Sequence, residues 1–220
     1  MNKKTALIFD MDGVLFDTER VYLESCQKAA SEMGLGDVRE LCLSCIGITA
    51  EMTRRRFLEY FGDEEIFRGF WEEAGRITRE TLSREVPLKP GAREILIYLK
   101  EKKIPTALAS STRTEIVRRE LTQTGLIDHF LVIVGGDAVK NSKPHPEIFL
   151  KAAELLGKDP GECIIVEDSV NGIKAAEAAG ITAFLVPDLI APKEDVVRKA
   201  YGVAESLFEV MELLSRNFGI

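Results

Sequence analysis

The chain has 220 residues, of which 45% are hydrophobic and 30% are charged, and a formal net charge of −7. This composition excludes an intrinsically disordered chain, and no apolar span approaches the length that would predict a membrane protein. The acidic balance disfavours a broad binding surface for nucleic acid or anionic lipid, although it allows a local cationic pocket.

Small molecules are therefore the expected partners, and we expect a monomer or a weak oligomer. The sequence starts without a secretory signal pattern and contains four cysteines, which predicts a cytoplasmic protein with reduced thiols. Its length suits one domain, or one core that carries a smaller inserted unit.

Five short apolar segments rich in strand-forming residues recur along the chain. They predict β-strands at residues 5–9, 104–109, 130–134, 163–166 and 182–186. Before each of the last four strands, apolar residues spaced three or four positions apart predict a helix. Gly125, Gly157 and Gly180 are predicted to end helices. Continuously apolar strands that alternate with helices indicate a parallel sheet covered on both faces, which is the doubly wound α/β fold.

Residues 19–85 interrupt this alternation because their pattern predicts helices throughout. Three helices are predicted there, at residues 19–33, 50–61 and 64–82. The last helix has an apolar stripe, formed by Ile66, Phe67, Phe70, Trp71, Ala74 and Ile77. Pro87 and Pro90 mark a stiff exit from the segment. We therefore predict a core of residues 1–18 and 86–220, with a helical unit of residues 19–85 inserted after the first strand.

Polar side chains follow four of the predicted strands at the point where each strand ends. They are Asp10 and Asp12, then Ser110, Ser111 and Thr112, then Asp137 with Lys143 further on, then Glu167 and Asp168. Ligands of open α/β sheets bind beyond the carboxyl ends of the strands. Acidic residues from two strands make an all-oxygen site that suits Mg²⁺. Hydroxyl groups and an amine that face this ion would hold the oxygens of a phosphoryl group.

The two aspartates after the first strand are able to divide the chemistry of phosphoryl transfer. A turn through Gly13 lets Asp12 reach a different side of the substrate from Asp10. Asp10 would attack phosphorus to form an aspartyl-phosphate. Asp12 would protonate the leaving oxygen and later deprotonate the attacking water.

Four motifs stand in a fixed order along the chain. They are DMDGVLFD at 10–17, ALASST at 107–112, KPHPEIF at 143–149 and VEDSVNGIKAAEAAG at 166–180. In these motifs the chain resembles the haloacid dehalogenase superfamily over nearly its whole length, and most of all its branch of phosphatases and phosphomutases related to β-phosphoglucomutase. The resemblance implies that the helical insertion is a small cap domain, which closes over the substrate and largely sets specificity.

The resemblance also implies a role for each site residue. Asp10, Asp12, Ser110 and Lys143 are expected to be the catalytic residues, with Asp10 as nucleophile and Asp12 as general acid and base. Ser110 and Lys143 would bind phosphate, and the rest of the expected substrate-binding set is Ser111, Thr112 and Thr18. Asp168 would be a Mg²⁺ ligand beside Asp10 and the backbone carbonyl of Asp12. Glu167 would bind the ion directly or through water.

The mutase pattern of this branch is incomplete in the sequence. Tyr22 stands where the mutase has a histidine in its first cap helix, and residues 47–51, GITAE, lack the arginine that holds the second phosphate of a bisphosphate. We therefore expect a Mg²⁺-dependent phosphatase for a small phosphorylated metabolite, such as a sugar phosphate. A sugar phosphomutase is the alternative, and a non-catalytic phospho-receiver module is a more distant one.

Some of these residues also have a purely structural interpretation. Asp17 and Thr18 suit the start of the first inserted helix as well as a substrate contact. Residues 110–112 suit a turn in which Thr112 caps the next helix. For Lys143 the alternative is an exposed lysine on a loop, and the acidic pair at 167 and 168 also suits a helix start.

Two further patterns in the predicted cap have a structural interpretation that we favour. Cys42 and Cys45 form a single C-x-x-C pair without a second ligand pair, which favours packed thiols over a metal or redox site. Arg54, Arg55 and Arg56 would steer an anionic substrate only if they faced one direction. Successive helical residues do not, so a solvated face is the favoured interpretation.

Overall fold

A computed structural model of the protein describes residues 3–46 and 50–220. The chain divides into two compact units, one of Met1–Phe16 with Leu88–Ile220 and one of Asp17–Pro87. These bounds lie close to those expected from the sequence, and the assignment of the units as a core domain and a cap domain stays a prediction.

The first unit contains a six-stranded sheet in which every pair of neighbouring strands is parallel. Its strands are β1 (Ala6–Phe9), β2 (Thr106–Ala109), β3 (Val132–Val134), β4 (Cys163–Glu167), β5 (Thr182–Leu185) and β6 (Gly202–Val203). Their order in the sheet is β3-β2-β1-β4-β5-β6, so β1 lies between β2 and β4. The predicted doubly wound α/β class is confirmed.

The position of β1 follows from its composition. All four of its residues are fully buried, with Leu7 paired to Thr106 of β2 and to Ile164 of β4. Burying a leucine or phenylalanine side chain stabilises the fold by about 1.5–3 kcal/mol, which favours this continuously apolar strand at the centre of the sheet. The first residue beyond it, Asp10, is thereby held at the middle of the carboxyl edge.

The second unit is helical in its described residues. Its helices are α1 (Thr18–Glu32), α2 (Arg39–Ser44), α3 (Ala50–Phe61) and α4 (Glu64–Arg84). An aromatic cluster joins α3 and α4, with Phe57 stacked on Phe70 at a centroid distance of 5.2 Å. The predicted stripe on α4 is too wide, because Ile66 and Trp71 keep 36% and 41% of their surface exposed. Trp71 packs against the rings of Phe57, Phe67 and Tyr22, and only the part of its surface that they do not cover lies in solvent.

The cysteine and arginine patterns of this unit have structural roles. Three cysteines of this unit are buried and form no disulfide: Cys26, Cys42 and Cys45. Among the described residues, no three-residue group that could bind a metal includes them. Arg54 pairs with Glu64 and Arg55 with Glu59 on the surface, while Arg56 donates to the carbonyl of Ser44. The solvated-face interpretation of the three arginines agrees with these contacts.

The helices of the first unit flank the sheet. They are α5 (Ala92–Glu101), α6 (Thr114–Gln123), α7 (Glu147–Leu155), α8 (Val170–Ala179), α9 (Glu194–Val197) and α10 (Leu207–Phe218). Strand β6 was not predicted, because two residues are too few to produce a pattern. Helix α10 was not predicted either, although Ser206 caps that helix and Gly219 ends it in the left-handed region at φ +66°.

Two further findings bear on function. Residues 47–49, which include most of the cap loop that was compared with the mutase, lie outside the described residues. Within the ranges that the structure does describe, no helix has the length and apolar character needed to cross a bilayer.

Candidate active site

Asp10 begins the site at the carboxyl end of β1. Its backbone N–H donates to the carbonyl of Val166 in β4 at 3.0 Å, and the residue is only 7% exposed. Burial raises the pKa of Asp10 to about 7, while the neighbouring Lys143 acts in the opposite direction. The carboxyl group therefore depends on a nearby positive charge to stay ionised.

Lys143 supplies a positive charge to two carboxylates at once. Its Nζ lies 2.6 Å from Asp10 Oδ1 and 2.7 Å from Glu167 Oε1, and 4.7 Å from the centroid of the Phe149 ring. Burial lowers the pKa of Lys143, but Asp10 and Glu167 outweigh it and raise the pKa above its ordinary value. The alternative of an exposed loop lysine is wrong, because the side chain is only 6% exposed.

Glu167 is the last residue of β4 and is fully buried. Its Oε1 accepts from Lys143 and its Oε2 accepts from the backbone N–H of Ser169 at 2.6 Å. Gly172 makes room for this carboxyl group, since a Cβ at that position would overlap it. Both oxygens of Glu167 are thus already engaged by donors of the protein.

Asp12 points toward different partners from Asp10. Its Oδ2 accepts from Thr112 Oγ1 at 2.8 Å and from Ser110 Oγ at 3.4 Å. Ser110 is fully buried at the end of β2, and its Oγ also accepts from the backbone N–H of Thr112 at 3.0 Å. The hydroxyls after β2 therefore contact the second aspartate of the first motif.

The predicted capping role of Thr112 is wrong. Helix α6 begins two residues later, and its N-cap position is Arg113, which makes no side-chain cap. Asp137 serves this helix end instead, because its Oδ1 accepts from Thr114 N at 2.7 Å and from Thr114 Oγ1 at 2.6 Å. Asp137 follows β3 but holds the start of α6, which removes it from the expected chemical set.

The two remaining predicted substrate residues belong to different units of the chain. Ser111 is exposed beside Thr112 in the first unit. Thr18 is the first residue of α1 in the second unit, and Asp17 occupies the N-cap position before it. The Asp17 carboxylate accepts from Arg20 Nε at 2.6 Å and makes no cap hydrogen bond, so side-chain capping by Asp17 is wrong.

An all-oxygen group lies at the ends of β1 and β4. Asp10, Glu167 and Asp168 each offer a carboxylate oxygen, and these three atoms lie within 4.8 Å of one another. Hard divalent cations prefer such oxygen donors, and Mg²⁺ typically takes one or two carboxylates and keeps several waters. The residues present therefore fit a divalent cation.

Gly13 closes the turn beside these carboxylates. Its φ is +79°, and a Cβ at this position would overlap the Asp168 carboxylate. We expect Gly13→Ala to weaken Mg²⁺ binding, because the methyl group must displace a carboxylate of the acidic group. Calorimetric titration with Mg²⁺ measures this change.

Gly125→Ala is the matched control for Gly13→Ala. Gly125 also has a positive φ, +70°, but a Cβ there would meet nothing within 4 Å. Both variants carry the left-handed strain of about 1–2 kcal/mol. Only Gly13→Ala should lose Mg²⁺ affinity, and equal affinities in the two variants would contradict the expected displacement.

One acidic residue at the same edge of the sheet is not among the predicted site residues. Asp188 follows β5, and its Oδ1 accepts from Nζ of Lys89, which stands 99 residues earlier in the chain. A signal was available, because Asp188 comes two residues after the predicted strand 182–186. Ligands of open α/β sheets bind beyond the carboxyl ends of the strands, and Asp188 follows such an end as the other predicted site residues do.

This fold and site define a class of enzyme. Residues 7–186 match the haloacid dehalogenase-like hydrolase family, which is most of the chain. The chain therefore belongs to the haloacid dehalogenase-like hydrolase family.

Individual relatives point to a narrower group. The phosphorylated carbohydrates phosphatase of Thermotoga maritima is 33% identical over 209 residues, which are 95% of this chain and 89% of that protein. The β-phosphoglucomutase of Bacillus subtilis is 32% identical over 187 residues, which are 81% of each chain. A solved structure from T. maritima, provisionally named a β-phosphoglucomutase, is 31% identical with a TM-score of 0.81, covering 97% of this chain and 99% of that chain.

These findings confirm two predictions. The chain lies in the branch related to β-phosphoglucomutase, and it is a phosphoric monoester hydrolase of the haloacid dehalogenase type. The alternative of a non-catalytic receiver module is set aside by this family membership.

Proposed function

We propose that the protein is a Mg²⁺-dependent phosphatase that hydrolyses a small phosphorylated metabolite, such as a sugar phosphate, through an aspartyl-phosphate on Asp10. One observation carries this proposal. The buried Asp10 contacts Lys143 and shares an oxygen cluster with Asp168, while Asp12 points to separate hydroxyl partners. The contact with a positive charge supports Asp10 as the nucleophile, and the separate partners of Asp12 support a different role for it, which we take to be proton transfer.

The proposed reaction has two steps. A carboxylate oxygen of Asp10 bonds to phosphorus as the bond to the leaving oxygen breaks, and Asp12 gives that oxygen a proton. In the second step water attacks phosphorus, Asp12 takes its proton, and the Asp10 carboxylate is released with inorganic phosphate. The hydroxyls of Ser110 and Thr112 hold the Asp12 carboxylate in place between the steps.

Asp10 and Asp168 would hold the ion, together with the backbone carbonyl of Asp12. When bound, Mg²⁺ neutralises the charge of the phosphoryl oxygens and favours the ionised form of the nearby carboxyl groups. Glu167 acts through Lys143 and through water, because both of its oxygens already accept from protein donors.

Phosphate binding is assigned to Lys143 and to the hydroxyl segment after β2. Lys143 is buried and charged, and Ser110, Ser111 and Thr112 follow the strand next to β1. Cationic and hydroxyl donors of this kind stabilise phosphoryl oxygens. A substrate contact from Thr18 is proposed on the family resemblance alone.

A sugar phosphomutase is the second candidate, because the B. subtilis relative is a named β-phosphoglucomutase. A mutase returns the phosphoryl group to a bound sugar phosphate, and the resemblance assigns an arginine in the cap loop to holding that second phosphate. Residues 47–51 contain no arginine, and Tyr22 replaces the expected histidine. We therefore favour transfer to water.

A substrate panel tests the choice between the two candidates. The purified protein is incubated with sugar phosphates and other phosphorylated metabolites, with Mg²⁺ or with a chelator. We expect Mg²⁺-dependent release of inorganic phosphate with at least one of them. Isomerisation of a hexose 1-phosphate in the presence of a catalytic bisphosphate, without net phosphate release, would instead establish the mutase.

A further inference from the structure

A partly buried ion pair lies beside the acidic group and has no part in the proposed reaction. Lys89 Nζ contacts Asp188 Oδ1, and the Asp188 side chain is only 4% exposed. Lys89 precedes Pro90, and its backbone N–H donates at 2.9 Å to the carbonyl of Leu15 in the turn that follows Asp12. The ion pair therefore connects the loop after β5 to Lys89, and the backbone of Lys89 in turn holds the loop after β1.

The other oxygen of Asp188 lacks a partner. Asp188 Oδ2 is buried and accepts no hydrogen bond from any of the described residues. Buried carboxylate oxygens almost always accept hydrogen bonds, from protein or from ordered water. Because no described residue supplies it, the missing donor of Asp188 is expected to be a water molecule.

The unpartnered oxygen faces the acidic group. A Cβ built on Gly13 would overlap the Asp168 carboxylate and would lie 3.2 Å from Asp188 Oδ2, so both groups border the same small space. Carboxylate oxygens of Asp168 and Asp188 lie within 4.8 Å of each other. One water molecule is able to bridge oxygens at such a separation.

We propose that Asp188 is a positioning residue of the Mg²⁺ site, whose Oδ2 accepts a hydrogen bond from a water molecule bound to the ion. This inference rests on the Mg²⁺ site of the proposed function. Mg²⁺ keeps several of its waters in proteins, and groups that accept from bound waters contribute to metal affinity. Lys89 contacts Oδ1 of Asp188, which leaves Oδ2 on the side of Asp168.

Asp188→Asn tests this role with little change in volume. The single amide oxygen is drawn toward Lys89, so the NH₂ group faces Asp168 and is unable to accept from a bound water. By calorimetric titration, we expect the Kd for Mg²⁺ to rise about ten- to hundredfold. This measurement needs no substrate and no turnover.

Lys89→Met is the matched control. It removes the same ion pair but leaves Asp188 with its charge, so the Kd for Mg²⁺ should stay at or below the wild-type value. A purely structural ion pair predicts a different result, in which both variants lower the melting temperature of the metal-free protein and neither changes the Kd. That result would overturn the inference.

Two further variants complete the test. Lys89→Met with Asp188→Leu avoids leaving a charge unpaired and removes both acceptor oxygens of Asp188 with little change in volume. It should show the same rise in Kd if the single Asp188 variant fails to fold. An unchanged Kd in that double variant overturns the inference. Asp168→Asn reports on the metal site itself, and if it binds Mg²⁺ like the wild type, the site and the inference both fall. Loss of binding in Asp168→Asn alone overturns only the role of Asp188.

Discussion

Replacement of Asp10 by asparagine is expected to abolish turnover. Asparagine keeps the shape of the side chain and an oxygen for Lys143, but it has no carboxylate to form an acyl phosphate with the substrate. We expect kcat for the best phosphorylated substrate to fall by at least about a thousandfold, because the covalent path is lost. Rapid-quench experiments should detect a phosphorylated protein in the wild type and none in Asp10→Asn.

Asp137→Asn is the matched control for this variant. Asp137 also follows a strand of the sheet, but its carboxylate holds the start of α6. The control should lose about 1 kcal/mol of stability and keep its catalytic rate. If Asp10→Asn retained full Mg²⁺-dependent hydrolysis, the nucleophile would be a different residue.

Replacement of Lys143 by methionine is expected to destabilise the metal-free protein strongly. The change leaves Asp10 and Glu167 buried without the cation that both now contact. Removal of one partner from a buried ion pair costs about 3–5 kcal/mol. Urea denaturation in the presence of a chelator measures this loss, and Mg²⁺ should restore part of it because a bound cation also neutralises the acidic group.

Lys140→Met provides the control for Lys143→Met. Lys140 is exposed on the same loop, and we expect its replacement to change stability by no more than about 0.5 kcal/mol. Lys143→Met should also lose phosphatase activity, since a phosphate-binding charge is removed. A Lys143→Met protein as stable as the wild type without metal would show that the two carboxylates do not need this cation.

The amino-acid sequence by itself determined the class of fold and most of the residues at the carboxyl edge of the sheet. Strands buried on both faces must be continuously apolar, so β1, β2, β4 and β5 stand out against the amphipathic helices between them. Parallel strands end at the same edge, which is why the sequence predicts that Asp10, Ser110 and Glu167 lie together. The missed helix α10 carried ordinary signals and could have been predicted in the same way.

Only the tertiary structure decided which of these residues contact one another. Lys143 stands 133 residues from Asp10 in sequence, and Thr112 stands 100 residues from Asp12. Residue patterns along a chain report on neighbours two to four positions apart, whereas these contacts depend on the order in which strands lie in the sheet. Because β1 lies between β2 and β4, the hydroxyls meet Asp12 on one side and Glu167 meets Lys143 near Asp10 on the other. The burial of Asp188 beside Asp168 has the same origin, because it required β5 to lie next to β4.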